Sequence, residues 1–486
     1  MFKDGLYNLW GAGIRVGFAI GVVPMLVRIM GTSQYGLWAL AFAIVGFLAL
    51  ADGGLSVTVI VFLSKELAID DRDAAGKTMA IVLAVSLALA TGASLMLYFC
   101  ASHAANLFSA LERSERQVLA KALLVGSVLV WSQVLQAVLI GVEQAYRQYA
   151  SANLLVSLQS VLTNVGMIPI AWGGGRVLAL MKWQVVVALA ALLAHGYFVS
   201  TLIWVFRHRM KLDKRKFLSV IRYASLTWFS NLGSILFGRA DRLLVGGILG
   251  TGDLGIYAAI TSVTGQINAM SGAAVQPFLP SASSLIAKGA TGQSELRESV
   301  KRAFRVNALL ALGMGIVLFV LASLVLSIII PSGESPMSLL ALRIAIVIYA
   351  LYSLSSVGYY TLFGVEALEV STAIVLLSAI VSLLLIGLGA HYSGLVGAVV
   401  GNAAYCGTLL LNVYGMKKVG VDGLWLGWLA FPLAWFVGGL VLGVAGPESL
   451  FWRVPLLVGH LALLVLWFVR GNGSEAPFSR IGWSRL

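Results

Sequence analysis

Gly31-Thr32-Ser33-Gln34-Tyr35-Gly36-Leu37-Trp38-Ala39 and Gly250-Thr251-Gly252-Asp253-Leu254-Gly255-Ile256-Tyr257-Ala258 share one pattern: Gly-Thr, three variable residues, then Gly, an aliphatic residue, an aromatic residue and Ala. The copies stand 219 residues apart. Each falls at a join between two long apolar blocks, and six such blocks separate the copies. An even number of membrane crossings gives both copies the same orientation. The match therefore predicts two parallel six-helix lobes related by an axis along the membrane normal. Its glycines suit a tight turn and close helix approach, with Gly36 and Gly255 expected where the chain turns back at the outer surface.

The apolar blocks carry this pattern over the whole chain. Of 486 residues, 59% are apolar and 11% charged, against about 25% charged in a soluble protein. Blocks of 20 or more apolar residues match the length needed to cross ~30 Å of hydrocarbon. Inside lipid such blocks must be helices, because each backbone polar group needs an internal partner; the period-2 alternation of a membrane barrel does not occur in the sequence. An all-α polytopic protein with fourteen spans is predicted, at about 8–30, 36–63, 79–101, 117–142, 151–172, 183–206, 223–249, 254–280, 305–330, 338–364, 370–391, 394–416, 424–445 and 453–469. The expected division is a six-helix lobe over 1–218, a second over 219–417, and two further helices with a cytoplasmic tail over 418–486.

Charge sets the orientation. The net charge is +13, but the basic residues sit in alternate loops and not on one soluble face, which excludes nucleic acid as the partner. With the N-terminus inside, 22 Lys and Arg fall on the cytoplasmic side and 7 outside. Both termini are therefore expected in the cytoplasm of a bacterial inner membrane protein. The densest run, Arg207 to Lys216, reads as a topological anchor, with anionic lipid binding as the alternative. MFKDGLYN lacks the pattern of a cleaved leader, so no removed segment is expected.

Little here suits catalysis. The five histidines stand in no zinc spacing, and no GxxxxGK[ST] loop cradles a nucleotide. Cys100 and Cys406 lie in apolar blocks and read as small hydrophobes. No enzyme, metal or cofactor is expected. Glu112 and Glu115, beside Arg113 and Arg116 in the longest outer loop, read as a solvated turn. Trp10, Trp38, Trp172, Trp183, Trp204, Trp425, Trp452 and Trp467 fall near span ends and read as interfacial belt residues. Trp131 and Trp228, with Gln133 and Gln136, lie deeper and read as core packing, with sugar contact as the sharper alternative. Pro24, Pro277 and Pro432 interrupt spans and suit bending.

Tyr35-Gly36-Leu37-Trp38, Ala51-Asp52-Gly53-Gly54-Leu55, and Arg239-Ala240-Asp241-Arg242 running through an apolar stretch to Leu254-Gly255-Ile256-Tyr257 resemble the MOP superfamily. Within it they are most similar to the polysaccharide-transporter family of O-antigen and exopolysaccharide flippases. Asp-Gly-Gly-Leu stands where that family more often has Asp-Leu-Gly-Leu. The resemblance implies a flippase that moves a lipid-linked oligosaccharide on an undecaprenyl-pyrophosphate carrier. Membrane lipids are its surroundings, and proton or sodium is its coupling ion. A peptidoglycan precursor is a neighbouring substrate. A cation-coupled multidrug antiporter of the same superfamily is the alternative, and a membrane glycosyltransferase or polymerase is disfavoured by the short outer loops.

Charged residues inside spans supply the candidate site, because each costs roughly 2.5–3.5 kcal/mol at a helix centre. Arg239 and Arg242, three residues apart, share one helix face. Asp241 projects to the other side and is expected to pair with a neighbouring helix. Together with Arg15, the two arginines are expected to line a water-filled cavity between the lobes, where guanidinium forks suit a pyrophosphate. The competing reading is a structural Arg–Asp network. Arg28 and Arg343 lie nearer the outer boundary, where a long side chain can snorkel; they are further substrate-binding candidates. Asp52 and Asp241 are the candidates for ion coupling, with an arginine salt bridge as the alternative for Asp52.

Overall fold

The computed structural model of the protein describes residues 21–204, 211–235, 239–276, 278, 293–330, 335–365, 367–421, 423–446 and 449–471. Among these residues the regular structure is helical and no strand occurs. The chain runs first through α1 Gly21–Met30, α2 Thr32–Leu48, α3 Leu55–Ala68, α4 Arg72–Asn106, α5 Arg113–Ala145, α6 Tyr149–Trp172, α7 Val177–Ile203, α8 Lys214–Ile235 and α9 Asp241–Val275. There follow α10 Gln293–Val320, α11 Ala322–Ile329, α12 Pro336–Ser353, α13 Ser356–Gly364, α14 Leu368–Gly401, α15 Leu410–Lys418, α16 Leu424–Ala445 and α17 Leu450–Gly471. Among the described residues eleven stretches are long and apolar enough to cross a membrane, and the chain is a multi-pass membrane protein.

Two of these stretches are hairpins. Within α9, Gly250 has φ 81° and ψ −174°, a conformation open to glycine almost alone. Tyr257 hydrogen-bonds Asp241, sixteen residues earlier; in a straight helix the two would stand ~24 Å apart. Within α14, Ser393 and Gly394 leave helical geometry, and the Ser382 hydroxyl donates to Gly401 O. With these turns the described helices come close to the fourteen spans predicted, and the expected break at 391–394 falls in the right place.

The second expected span bends in its middle. After α2, Ala49–Asp52 forms a short 3-10 turn, and Gly53 and Gly54 take left-handed φ values of 60° and 76° before α3 begins. The break frees backbone groups that must be satisfied within the membrane. Trp228 Nε1 donates to Leu50 O at 2.9 Å, and the Thr227 hydroxyl donates to Gly54 O. Trp228 is therefore a structural donor. Trp38, expected in the interfacial belt, is buried and stacks on Phe42 at 5.7 Å. On α6, Leu154, Leu158 and Leu162 recur every four residues on one face and are all exposed.

Contacts divide the chain into two compact units. One comprises residues to Ser262 with Ile329–Gly333 and Val375–Asn402; the other comprises Val263–Ile328, Glu334–Ile374 and Ala403 onward. In the second unit, α16 and α17 pack on α10. Their mutual pairing is reciprocal: Trp435 Nε1 donates to His460 O, His460 Nε2 contacts Trp435 O, and the rings stack at 4.4 Å.

Candidate functional site

Arg239 and Ala240 form a widened π-type turn leading into α9, a distortion often found at functional positions. The Arg239 guanidinium lies directly against Gly46 of α2, in space that any Cβ there would occupy. Arg242 Nη2 donates to Ser262 Oγ at 3.1 Å, and the buried Tyr35 hydroxyl shares that serine. Asp241 is buried. Its Oδ1 accepts from the Arg242 backbone N–H at 2.8 Å and its Oδ2 from the Tyr257 hydroxyl at 3.0 Å. Asn402 Nδ2 donates in turn to Tyr257 Oη. Asp241 thus meets the adjacent span, and both its oxygens are engaged by neutral donors. Among the described residues no carboxylate hydrogen-bonds either guanidinium, although Asp241 attracts Arg242 electrostatically; two arginines against one aspartate leave an excess of positive charge.

The two sequence repeats meet close by in the chain. A Cβ on Gly36 would fall on Thr251 O, and a Cβ on Gly255 would fall on Thr32 O. Thr32 and Gly36 correspond to Thr251 and Gly255 in the repeat, so the contact is reciprocal. The turning residues are instead Gly31, with φ 82° and ψ 160°, and its counterpart Gly250. This corrects the expectation for Gly36 and Gly255: they serve close approach, and the turn falls five residues earlier. Glu115 also needs correction. Its Oε2 closes the capping box at the start of α5, while its Oε1 accepts from the Ser33 hydroxyl at 3.0 Å and the Thr251 hydroxyl at 2.6 Å. It joins both repeats instead of lying in a solvated turn.

The remaining candidates do not join Arg239. Asp52 accepts from Gly54 N–H at 3.1 Å and Ser56 O–H at 2.7 Å, a local turn just before α3; these partners are not the arginine of the alternative reading. Arg28 is exposed. Arg343, in the second unit, lies over Phe319 and donates to Gly443 O. Arg15 lies outside the described residues, as do Trp10 and Pro277. The sequence reading missed Gly46, Tyr35, Ser262 and Asn402, which carry no charge signal.

A family model described as polysaccharide biosynthesis protein matches residues 25–337. The chain is 26% identical over 289 residues to a Shigella flexneri protein assigned as an O-antigen transporter, a match spanning 57% of this chain and 66% of that protein, just under two thirds of its length. The fold is similar to that of the lipid II flippase MurJ in an inward closed conformation, with a TM-score of 0.74 at 11% identity over 97% of this chain and 99% of that one. It is also similar to an inward-facing multidrug resistance MATE family transporter of the MOP superfamily, with a TM-score of 0.67 at 16% identity over 84% and 98% of the chains.

Proposed function

Because this chain belongs to the polysaccharide biosynthesis protein family, we propose that it is a flippase, not an enzyme, which carries a polyprenyl-pyrophosphate-linked oligosaccharide across the bacterial inner membrane for surface polysaccharide assembly. One observation carries the reading: Arg239 and Arg242 sit together in the membrane, hydrogen-bonded to no carboxylate among the described residues. Such a pair is expensive without an anion to meet. Planar guanidinium forks replace the water of a diphosphate with directed hydrogen bonds. The multidrug antiporter shares the fold, but its cationic cargo would be repelled by these groups. The duplicated lobes, 1–218 and 219–417, remain the proposed framework; the reciprocal glycine contact supports it. Asp241 is proposed as a positioning residue for Arg242.

The test uses purified protein in liposomes, with a fluorescent polyprenyl-diphosphate disaccharide as probe and a cationic dye as competitor. The flippase reading expects bilayer crossing of the glycolipid, lost in the Arg239→Ala, Arg242→Ala double variant, and no dye export. Dye export with a stationary glycolipid would overturn it.

A further inference from the structure

Glu143, near the end of α5, and His195, on α7, are both fully buried. Their Oε1 and Nδ1 atoms lie 2.8 Å apart. The other polar atoms, Glu143 Oε2 and His195 Nε2, are buried without a hydrogen-bond partner among the described residues. Val142, Ala145 and Val199, their neighbours in sequence on the same two helices, belong to an apolar core. Simple cohesion does not account for the pair, since well-packed apolar side chains hold helices at least as firmly as a buried ionic pair.

We propose that Glu143 and His195 form a proton-binding site, loaded with one proton when sealed and emptied when water reaches it, and that this site couples a proton to transport. The coupling rests on the transporter reading; the binding does not. In water near neutral pH a separate glutamate is ionised and a separate histidine largely neutral, giving −1 for the two. Sealed without water, a net charge is expensive. One proton shared between Oε1 and Nδ1 makes the pair neutral. Closing therefore takes up one proton from the aqueous side, forming an O–H or N–H bond, and opening returns it. The sealed form binds more protons, so acid favours sealing and alkali favours opening.

Other titratable groups near this end of the bundle have their own partners or, like Arg147, are exposed. Glu66 on α3 is held by Thr78 and by Lys216 of α8. Lys77 on α4 pairs with Asp73 at 2.7 Å, and the Tyr146 hydroxyl donates to Leu202 O. Lys65 on α3 and Tyr149 on α6 are exposed.

The experiment needs no substrate, so its failure would leave the flippase reading standing. Spin labels at Gln148→Cys and Lys214→Cys, in a Cys100→Ser, Cys406→Ser background, report the distance between the starts of α6 and α8 in nanodiscs. The expected wild-type result is a narrow distribution at pH 6 and a second, longer population at pH 8.5. Glu143→Gln removes the carboxylate whose charge makes alkali favour opening, so the longer population at pH 8.5 should be absent. His195→Gln should keep a response displaced to lower pH, since the carboxylate must then take the proton alone. A wild type without a pH response would overturn the proposal, as would a Glu143→Gln variant that opens like the wild type. A pair that serves only packing would leave the pH response unchanged in both variants.

Discussion

At Arg239 the side chain has its place only because Gly46 has none. A methyl at Gly46 would displace the far end of a flexible side chain and not a backbone, so folding should tolerate it while the guanidinium moves. Gly46→Ala is expected to keep near-normal abundance and lower transport by ~10-fold, the equivalent of about 1.4 kcal/mol; surface glycan normalised to membrane protein in a complemented deletion strain measures this. Arg239→Lys keeps the charge but loses the planar fork. It should transport poorly, and Arg239→Ala worse, again at near-normal abundance. A fall in abundance alone would mark a structural role. The arginines were legible in the sequence because charge inside an apolar block is costly, whereas Gly46 gave no signal because a glycine in a membrane helix is common. Glu115 was misread from its neighbours Arg113 and Arg116. Glu143 escaped notice because the fourth span was expected to end at 142, and α5 continues to Ala145.

At the scale of elements, the repeated joins were legible as a pattern, but the roles of their glycines were not. Sequence shows that a glycine is present; φ and the neighbouring backbone show why. Gly31 and Gly250 supply the left-handed φ, and Gly36 and Gly255 supply contact between backbones. Val at either contact position would drive a branched side chain into a carbonyl that cannot swing away. Gly36→Val and Gly255→Val should each cost at least about 1–3 kcal/mol and lower the amount of protein in the membrane. Normal amounts and transport in both variants would show that the approach is dispensable. The same contact offers a trap. Ser33 Oγ and Thr251 Oγ1 lie 3.0 Å apart, and if the proposed lobes rock during transport they must part somewhere along their shared elements. A Ser33→Cys, Thr251→Cys pair lacking the native cysteines should cross-link under mild oxidant and stop transport, with recovery on reduction. Full transport by the cross-linked protein would make this contact static.

For the whole molecule, composition and span length sufficed for the fold class, because lipid permits so few backbone solutions. The tertiary contacts that make up the compact units are harder to read, since a face turned to lipid and a face turned to protein are almost equally apolar. Orientation rests on a different force, the bias of Lys and Arg toward the cytoplasm. Of the densest basic run, 207–210 lies outside the described residues, while Lys211 is exposed just before α8. Next to it, Asp213 accepts from the Lys216 backbone N–H, so the run leads into a capped helix. On the cytoplasmic side expected for it, a membrane potential and anionic headgroups would resist export of these charges. Lys211→Cys, introduced without Cys100 and Cys406, should therefore stay unlabelled by an impermeant maleimide in intact cells and react once the membrane is opened. Because the expected orientation rests on 22 basic residues against 7 collectively, loss of this single charge should not invert the chain. Labelling in intact cells would reverse the orientation of every span, and with it the side from which Arg239 is proposed to receive a headgroup.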